Sequence, residues 1–287
     1  MGWRYPGRNR VVVANGIYHI TQRAPGREIV FIENNDYLYF IHLLKYYSLK
    51  FRLKVYSFCL LPNHLHILLR ISEPNLSVAM KSILENYATH FNSKYMRKGH
   101  VFCGRYRRAL CDNDVYLLAI SVYIHLNPFK AGLCKNIWGY KWSSLKLFLM
   151  KEHICSFIDY RYILNLLNKN IDSAKAIYEK MLISSINFRY GNILEDKYAV
   201  CNFKADIVKH SDLLKYIVTN NKSSDIFNIA KAVDDFRRNK FVRSPQVKIA
   251  RKYLIEQLRS RGYSLSHIAE ILGMSRQGVY YLLDNCL

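Results

Sequence analysis

The chain is short of acidic residues. Its 287 residues include 43 Lys and Arg but only 21 Asp and Glu, so the formal net charge at pH 7 is +22. Like charges repel one another in a compact protein, and an excess of this size is typical of proteins with a polyanionic partner. Nucleic acid is the commonest such partner, and a membrane surface is the alternative.

A long hydrophobic run is also missing. The longest mostly apolar stretch without a charge, residues 115–129, is shorter than the roughly 20 residues that a membrane-spanning helix needs. The first residues are not followed by the apolar core of a signal peptide. We therefore expect no membrane partner and a cytoplasmic location.

Paired cysteines are missing as well. The seven cysteines are scattered along the chain without any Cys-x-x-Cys spacing. An odd and scattered set indicates reduced thiols in a cytosolic protein and argues against a disulfide framework or a cysteine zinc site. A hydrophobic content of 51% and an aromatic content of 14% argue against a largely disordered chain.

Strand and helix patterns alternate over residues 1–150 in the order β-α-β-β-α-β, with one more helix after them. Runs rich in β-branched and aromatic residues predict strands at 16–21, 55–61, 64–71 and 106–111. Helical spacing predicts helices at 37–49, 76–96 and 114–127, the last of which is expected to stop at Pro128. This order is the ferredoxin-like arrangement, an α+β fold with an antiparallel sheet.

The rest of the chain is predicted to be helical. Residues 151–242 form a helical region without an assigned role, and residues 243–287 resemble a helix-turn-helix DNA-binding domain, with a plain helical hairpin as the alternative. In that domain two serines can cap the helices and a glycine can supply the left-handed turn between them, namely Ser264, Ser275 and Gly273. The residues that the second helix would offer to a DNA groove are Arg276, Gln277 and Tyr280.

A His-x-His pair lies on the third predicted strand. Because side chains alternate along a strand, His64 and His66 project to the same face and can share one divalent ion, although a metal-free structural pair is the alternative. Tyr123 and Asn127 are one turn apart on the helix that begins at residue 114, so they share a face too. If this helix crosses the histidine strand, the groups required for metal-assisted phosphodiester cleavage by a tyrosine meet there. His125 falls on another face and is expected to be structural or to contact DNA.

Basic and aromatic residues cluster before and within the fourth predicted strand. Such a mixture can follow a phosphate backbone and stack unpaired bases, although charges that protect a solvated strand edge are the alternative. Together with Arg23 at the end of the first strand, the residues predicted to contact DNA are Arg97, Lys98, Arg105, Tyr106, Arg107 and Arg108.

Four blocks of sequence resemble the single-tyrosine HUH transposases, in the branch called REP-associated tyrosine transposases. The blocks are IYHITQR at 17–23, LPNHLHILL at 61–69, GHVFCGRY at 99–106 and YIHLNPFKAG at 123–132. They occur in the order found in that family and extend over roughly the first half of the chain, which makes the resemblance specific. Cys103 departs from the pattern, because many relatives carry a polar residue there.

The resemblance implies a catalytic domain at residues 1–150 that cleaves and rejoins single-stranded DNA at hairpin-bearing repeats, with Mg²⁺ or Mn²⁺ as the cofactor. Tyr123 matches the nucleophile, which forms a 5′-phosphotyrosine. His64 and His66 match the metal ligands, and Asn127 matches a position that helps to hold the metal. Duplex DNA is a second possible partner through the C-terminal domain, and the oligomeric state stays open between monomer and homodimer.

Other interpretations fit parts of this pattern. The main alternative is a catalytically inactive DNA-binding regulator derived from such a transposase. An HUH endonuclease that initiates replication or plasmid transfer usually has more metal-binding histidines or a second tyrosine. An RNA-binding protein with a ferredoxin-like sheet would carry aromatic residues on the sheet strands in place of the histidine pair. We therefore predict a metal-dependent DNA transposase.

Overall fold

The computed structural model describes most of the first 188 residues and parts of the remainder. The described residues are 12, 14–111, 114–150, 152, 154–188, 203, 206, 229–238, 251, 254, 255, 258 and 264–284. Contacts divide the chain into two units: the first is Ala14–Phe227, and the second includes the described residues from 229 onward. The predicted domain boundary between residues 242 and 243 lies outside the described residues.

The first unit is built on a four-stranded sheet. Its strands are β1 (Ile17–Arg23), β2 (Leu53–Leu61), β3 (His64–Ile71) and β4 (Arg107–Cys111). The strands lie in the order β2-β3-β1-β4, and every neighbouring pair is antiparallel. This is the ferredoxin-like topology, so the α+β fold predicted for the catalytic domain is confirmed.

Three helices complete this part of the fold. They are α1 (Asn34–Lys50), which joins β1 to β2, α2 (Leu76–Lys94), which joins β3 to β4, and α3 (Asp114–Lys130), which follows β4. Helices α1 and α2 pack against each other, and α3 packs against β2, β3 and β4. Helix α3 is thereby placed across the strand that carries the histidine pair.

Helix α3 continues past Pro128, so the prediction that it stops there is wrong. Pro128 lies inside the helix, and beyond it the Ala131 N–H donates to the Asn127 carbonyl at 2.9 Å. A proline lacks only its own N–H donor, and near the end of a helix the donors that follow can still complete the last turn. Asn127 therefore remains helical, one turn after Tyr123.

Shorter helices follow α3 and pack around it. They are α4 (Leu145–Leu149), α5 (Tyr160–Asn165) and α6 (Ile171–Ser184), of which α5 and α6 contact α3. The segment before α4 covers the outer edge of β2, because the Leu60 N–H donates to the Trp142 carbonyl at 2.9 Å and the Ser144 N–H to the Phe58 carbonyl at 3.0 Å. A covered edge cannot pair with a strand of another chain.

The second unit contains α7 (Ile229–Arg238), α8 (Leu265–Leu272) and α9 (Arg276–Asp284). The Ser264 Oγ accepts the His267 N–H at 3.2 Å, and Gly273 has a φ of +61°. The Ser275 Oγ accepts the Gly278 N–H at 3.0 Å. The predicted caps and left-handed turn are confirmed, whereas a DNA-binding role for α8 and α9 stays a prediction. None of the described helices is long and apolar enough to cross a membrane.

Candidate active site

Three histidines meet on one face of the sheet. The ladder pairs Arg23 with His64 and Thr21 with His66, and directly paired residues of an antiparallel ladder project to the same face. His19 comes two residues before Thr21 and therefore projects to that face as well. The His19 Nε2 lies 3.0 Å from the His66 Nδ1, and the two rings stack with centroids 5.3 Å apart. The His64 ring stands edge-on to the His66 ring at 5.1 Å.

Asn127 brings its side-chain amide from α3 to the histidines. Its Nδ2 lies 2.9 Å from the His66 Nε2, and its side chain also forms a hydrogen bond with His64. An amide carries one oxygen acceptor and one nitrogen donor on the same carbon, so this residue can present either atom to the site. The Asn63 Oδ1 lies 2.7 Å from the Nδ1 on the other side of the His64 ring.

Tyr123 lies against the same histidines. Its ring is edge-on to His66 and His19, with centroids 5.9 Å and 6.5 Å away. The side chain is fully buried, and its ring also contacts the ring of Phe203 at 5.6 Å. The structure thus brings the predicted nucleophile and the predicted metal ligands together, and adds His19 and Phe203, which the sequence did not single out.

Burial keeps these histidines neutral. It lowers the pKa of His19 to about 3 and that of His64 to about 4, although the hydrogen bond with Asn127 opposes the second shift. The pKa of His66 lies well below its usual range because of burial and, to a lesser degree, the neighbouring histidines. A neutral imidazole keeps the nitrogen lone pair through which histidine binds a metal.

The donor set suits a divalent ion. Two neutral imidazoles and an amide oxygen are ligands that ions such as Mn²⁺ accept, and three protein ligands leave coordination positions open for a substrate. Within the described part of the chain, no group of three or more His, Cys, Asp or Glu residues is arranged to hold a metal. An ion at this site would therefore depend on the histidine pair together with Asn127.

The chain from residue 12 to residue 127 matches the family model described as transposase, IS200-like. Over these residues the chain is similar to the IS200-like transposases. The matched residues include His64, His66, Tyr123 and Asn127.

A solved structure of a REP-associated tyrosine transposase bound to a REP hairpin is also similar to this chain. The two sequences are 17% identical, and the superposition has a TM-score of 0.42 over 49% of this chain and 82% of that chain. No curated protein matches the chain.

Two of the arginines predicted to contact DNA share the face of the sheet that carries the histidines. Arg23 is paired directly with His64, and Arg107 is paired with Thr21, which is paired in turn with His66. The Arg107 side chain is exposed, and that of Arg23 is partly exposed. Both side chains therefore lie on the face of the sheet that carries the histidines, and their contact with DNA stays a prediction.

Lys98 and Arg105 lie exposed in the segment that joins α2 to β4. This segment is attached to the end of β1, because the Cys103 N–H donates to the Arg23 carbonyl at 2.8 Å and the Gln22 Nε2 donates to the Gly104 carbonyl at 3.1 Å. It therefore lies at the end of the sheet where β1 meets the start of β3.

The remaining predicted contacts in this unit are engaged within the protein. The Arg97 Nη2 forms an ion pair with the Glu28 carboxylate at 2.6 Å. The Arg108 guanidinium lies 5.7 Å from the centre of the Tyr18 ring, on the face opposite to Arg107. The ring of Tyr106 is buried, so it would have to leave the protein interior to stack on a base.

His125 lies in a buried polar network on another side of α3. Its Nδ1 is 2.8 Å from the Tyr178 hydroxyl, and its Nε2 is 2.8 Å from the Ser144 hydroxyl. The Tyr178 hydroxyl donates to the Ser121 Oγ at 3.0 Å. His125 is 1% exposed, so the structural alternative for this residue is correct and a DNA contact is excluded in this conformation.

Proposed function

We propose that this protein is a metal-dependent DNA strand transferase that cleaves and rejoins single-stranded DNA at hairpin-bearing repeats. The observation that carries the proposal is the convergence of Tyr123, His66 and Asn127. Asn127 and His66 are 61 positions apart in the sequence, yet their side chains lie 2.9 Å apart, and the Tyr123 ring contacts the same histidine. The sequence blocks that resemble REP-associated transposases favour hairpin-bearing repeats as the substrate.

His64, His66 and Asn127 would hold the Mg²⁺ or Mn²⁺ ion. When bound, such an ion supplies positive charge that withdraws electron density from the scissile phosphate. The two histidines are prepared for this role because burial keeps both imidazoles neutral. The partial exposure of His64 leaves the site open on the side from which a DNA strand can enter.

Tyr123 supplies the nucleophile. The phenol loses its proton to water, and its oxygen bonds to phosphorus while the bond to the 3′ oxygen breaks. The departing oxygen takes up a proton from water, which gives a 5′-phosphotyrosine and a free 3′-hydroxyl. One phosphate ester replaces another, so a 3′-hydroxyl can reverse the step and rejoin a strand. A phenol ordinarily titrates near pH 10, so its ionisation at neutral pH requires nearby positive charge.

Basic side chains around the site would hold the DNA strand. Arg23 and Arg107 share the face of the histidines, and Lys98 and Arg105 are exposed at the end of the sheet. Helix α9 would contact duplex DNA through its exposed residues Arg276 and Gln277 and its partly exposed Tyr280. We propose the cytoplasm as the location, in keeping with the scattered reduced cysteines.

Covalent trapping tests the proposal. Labelled single-stranded hairpin DNA from repeats beside the gene would be mixed with the protein and Mn²⁺ or a chelator, then run on a denaturing gel. We expect a shifted band only with Mn²⁺, and no band with Tyr123→Phe, which should bind the DNA as tightly as the wild type. Tyr116→Phe alters a second buried tyrosine of the same helix and should still form the band. A shifted band with Tyr123→Phe would place the nucleophile elsewhere.

A catalytically inactive DNA-binding regulator is the second candidate. It is favoured by the full burial of Tyr123 against Phe203, because a buried phenol cannot meet a phosphate in this arrangement. The same gel decides between the two functions. Tight binding of the hairpin DNA without any Mn²⁺-dependent band would support the regulator and contradict the transferase.

A further inference from the structure

Each histidine of the proposed metal site has a partner at its Nδ1. The His64 Nδ1 donates at 2.7 Å to the Oδ1 of Asn63, which is the preceding residue in the sequence. The His66 Nδ1 lies 3.0 Å from the Nε2 of His19, a residue 47 positions earlier on β1. The Nε2 on the other side of the His66 ring faces Asn127, and His64 also forms a hydrogen bond with the Asn127 side chain.

The two contacts of the His66 ring agree on one tautomer. In the orientation that the Asn127 amide has here, its Nδ2 faces the His66 Nε2 at 2.9 Å and donates to it, which makes that ring nitrogen an acceptor without a proton. The single ring proton of a neutral His66 is then on Nδ1, and the Nε2 of His19 must accept it. A His66 held in this way offers the lone pair of Nε2 to the site.

The buried position of His19 in the sheet suits it to be that acceptor. Its side chain is 1% exposed, and its two partners in the ladder are the apolar residues Leu68 and Ala109. Its ring stacks on the His66 ring with an angle of 11° between the planes, which fixes the orientation of both rings. A buried imidazole among apolar neighbours is costly unless it has a hydrogen-bond partner, and the His66 N–H is that partner.

We propose that His19 is a positioning residue, which holds His66 as the Nδ1–H tautomer and aims its Nε2 at the divalent ion. This inference rests on the proposed function, because it assigns the support of the same metal site. Hydrogen-bond acceptors behind metal-binding histidines typically change metal affinity by about 10- to 100-fold when they are removed. A neutral imidazole takes here the place that a carboxylate or a carbonyl occupies in many metal sites.

A long-range ¹H–¹⁵N NMR spectrum of the metal-free wild-type protein tests the tautomer directly. His66→Gln would assign the His66 resonances by their loss. We expect a protonated Nδ1 and an unprotonated Nε2 for His66. A protonated Nε2 would overturn the proposal, since His19 would then have no proton to accept.

Variants of His19 test the effect on the metal site without DNA. His19→Phe keeps a stacked ring but removes the acceptor, and His19→Gln places an amide oxygen near the position of the lost Nε2. We expect the Kd for Mn²⁺, measured from the electron paramagnetic resonance signal of the free ion, to rise about 10- to 100-fold in His19→Phe. In His19→Gln it should stay within a few-fold of the wild type.

A matched control separates positioning from packing. His90 also stacks on an aromatic ring, that of Tyr39 at 3.9 Å, and His90→Phe should leave the Mn²⁺ affinity unchanged. Equal Mn²⁺ affinity in the wild type and a folded His19→Phe would overturn the proposal, as would equal weakening in His19→Phe and His19→Gln. A wild-type protein that binds no Mn²⁺ would instead contradict the proposed metal dependence. In that case the protonated nitrogen of His66, identified by NMR in the metal-free protein, still decides the role of His19.

Discussion

Arg107 and Arg108 are adjacent in the sequence but face opposite sides of the sheet. Arg107 is paired with Thr21 on the neighbouring strand, and Thr21 is paired with His66, so the three side chains project to one face. The Arg108 guanidinium lies over the Tyr18 ring on the other face. The sequence predicts both arginines as DNA contacts, because amino-acid composition indicates the charge of a segment but not the face of the sheet to which each side chain projects. The strand register makes the distinction, since alternate residues project to opposite faces.

The two arginines form a matched pair for a test of DNA binding. Arg107→Ala should weaken single-stranded DNA binding and reduce the slope of log affinity against log salt concentration by about 0.7, the value for one lost phosphate contact. Arg108→Ala removes the same charge and should leave that slope unchanged. Fluorescence anisotropy titrations over a range of salt concentrations measure both slopes, and an equal change in the two variants would contradict the placement of the DNA on the histidine face.

Four residues of the site follow from the sequence, and two do not. Alternation places His64 and His66 on one face, and helical spacing places Tyr123 one turn before Asn127. His19 and Phe203 join them only because β1 pairs with β3 in a particular register and because the ring of Phe203, about 80 positions further along the chain, contacts Tyr123. Neither contact has a local sequence pattern, since each depends on how distant parts of the chain meet.

Helix α3 contributes polar side chains to two separate buried clusters. One side carries Tyr123 and Asn127 into the histidine site, and another carries Ser121 and His125 into the buried network with Tyr178. Tyr178 lies on α6, so this network attaches α3 to a helix of the region for which the sequence indicates no role. A buried network in which every member has a partner fixes one arrangement of the helices that share it.

Tyr178→Phe tests the contribution of this network to stability. Loss of the hydroxyl leaves the His125 Nδ1 without its partner in a buried site, so the free energy of unfolding should fall by about 1–3 kcal/mol. Tyr46→Phe removes a hydroxyl from a side chain that is 52% exposed and should leave the free energy unchanged. Urea unfolding followed by circular dichroism measures both, and a Tyr178→Phe variant as stable as the wild type would refute a stabilising network.

Element order is predicted well because it depends on local patterns. The order of strands and helices through α3 and the turn at residues 62–63 agree with the structure. The end of α3 was predicted wrongly because a proline signals a stop locally, while hydrogen bonds formed after it, such as that of the Ala131 N–H, decide where the helix ends. The packing of α5 and α6 on α3 could not be predicted, since an amphipathic pattern indicates that a helix has a buried face but not which element that face packs against.

The whole molecule combines a large positive charge with two units. The net charge of +22 belongs to a chain in which Ala14–Phe227 form one unit, and Met1–Val13 and Asn228–Leu287 form the other. All of the proposed catalytic residues belong to the first unit. The second unit carries the exposed Arg276 and Gln277, which suits it for additional DNA binding.

A chain that ends at Phe227 tests this division of roles. We expect it to bind hairpin DNA more weakly and with a smaller dependence on salt, because fewer phosphates are contacted. The Mn²⁺-dependent covalent complex should persist on single-stranded DNA. The full chain is the control in gel-shift and trapping assays, and a folded truncated chain that forms no covalent complex would show that residues from 228 onward are needed for the chemistry.

The central claim is that the phenolic oxygen of Tyr123 becomes bonded to the 5′ phosphate of the cut strand. Mass spectrometry of the trapped complex tests it most directly, after digestion of the DNA and of the protein. We expect the peptide that contains Tyr123 to carry the additional mass of a nucleotide joined through its 5′ phosphate, and only in the presence of Mn²⁺. Fragment ions should place this mass on Tyr123 itself. An adduct on another residue, or a cut strand that ends in a free 5′ phosphate with no peptide attached, would contradict it.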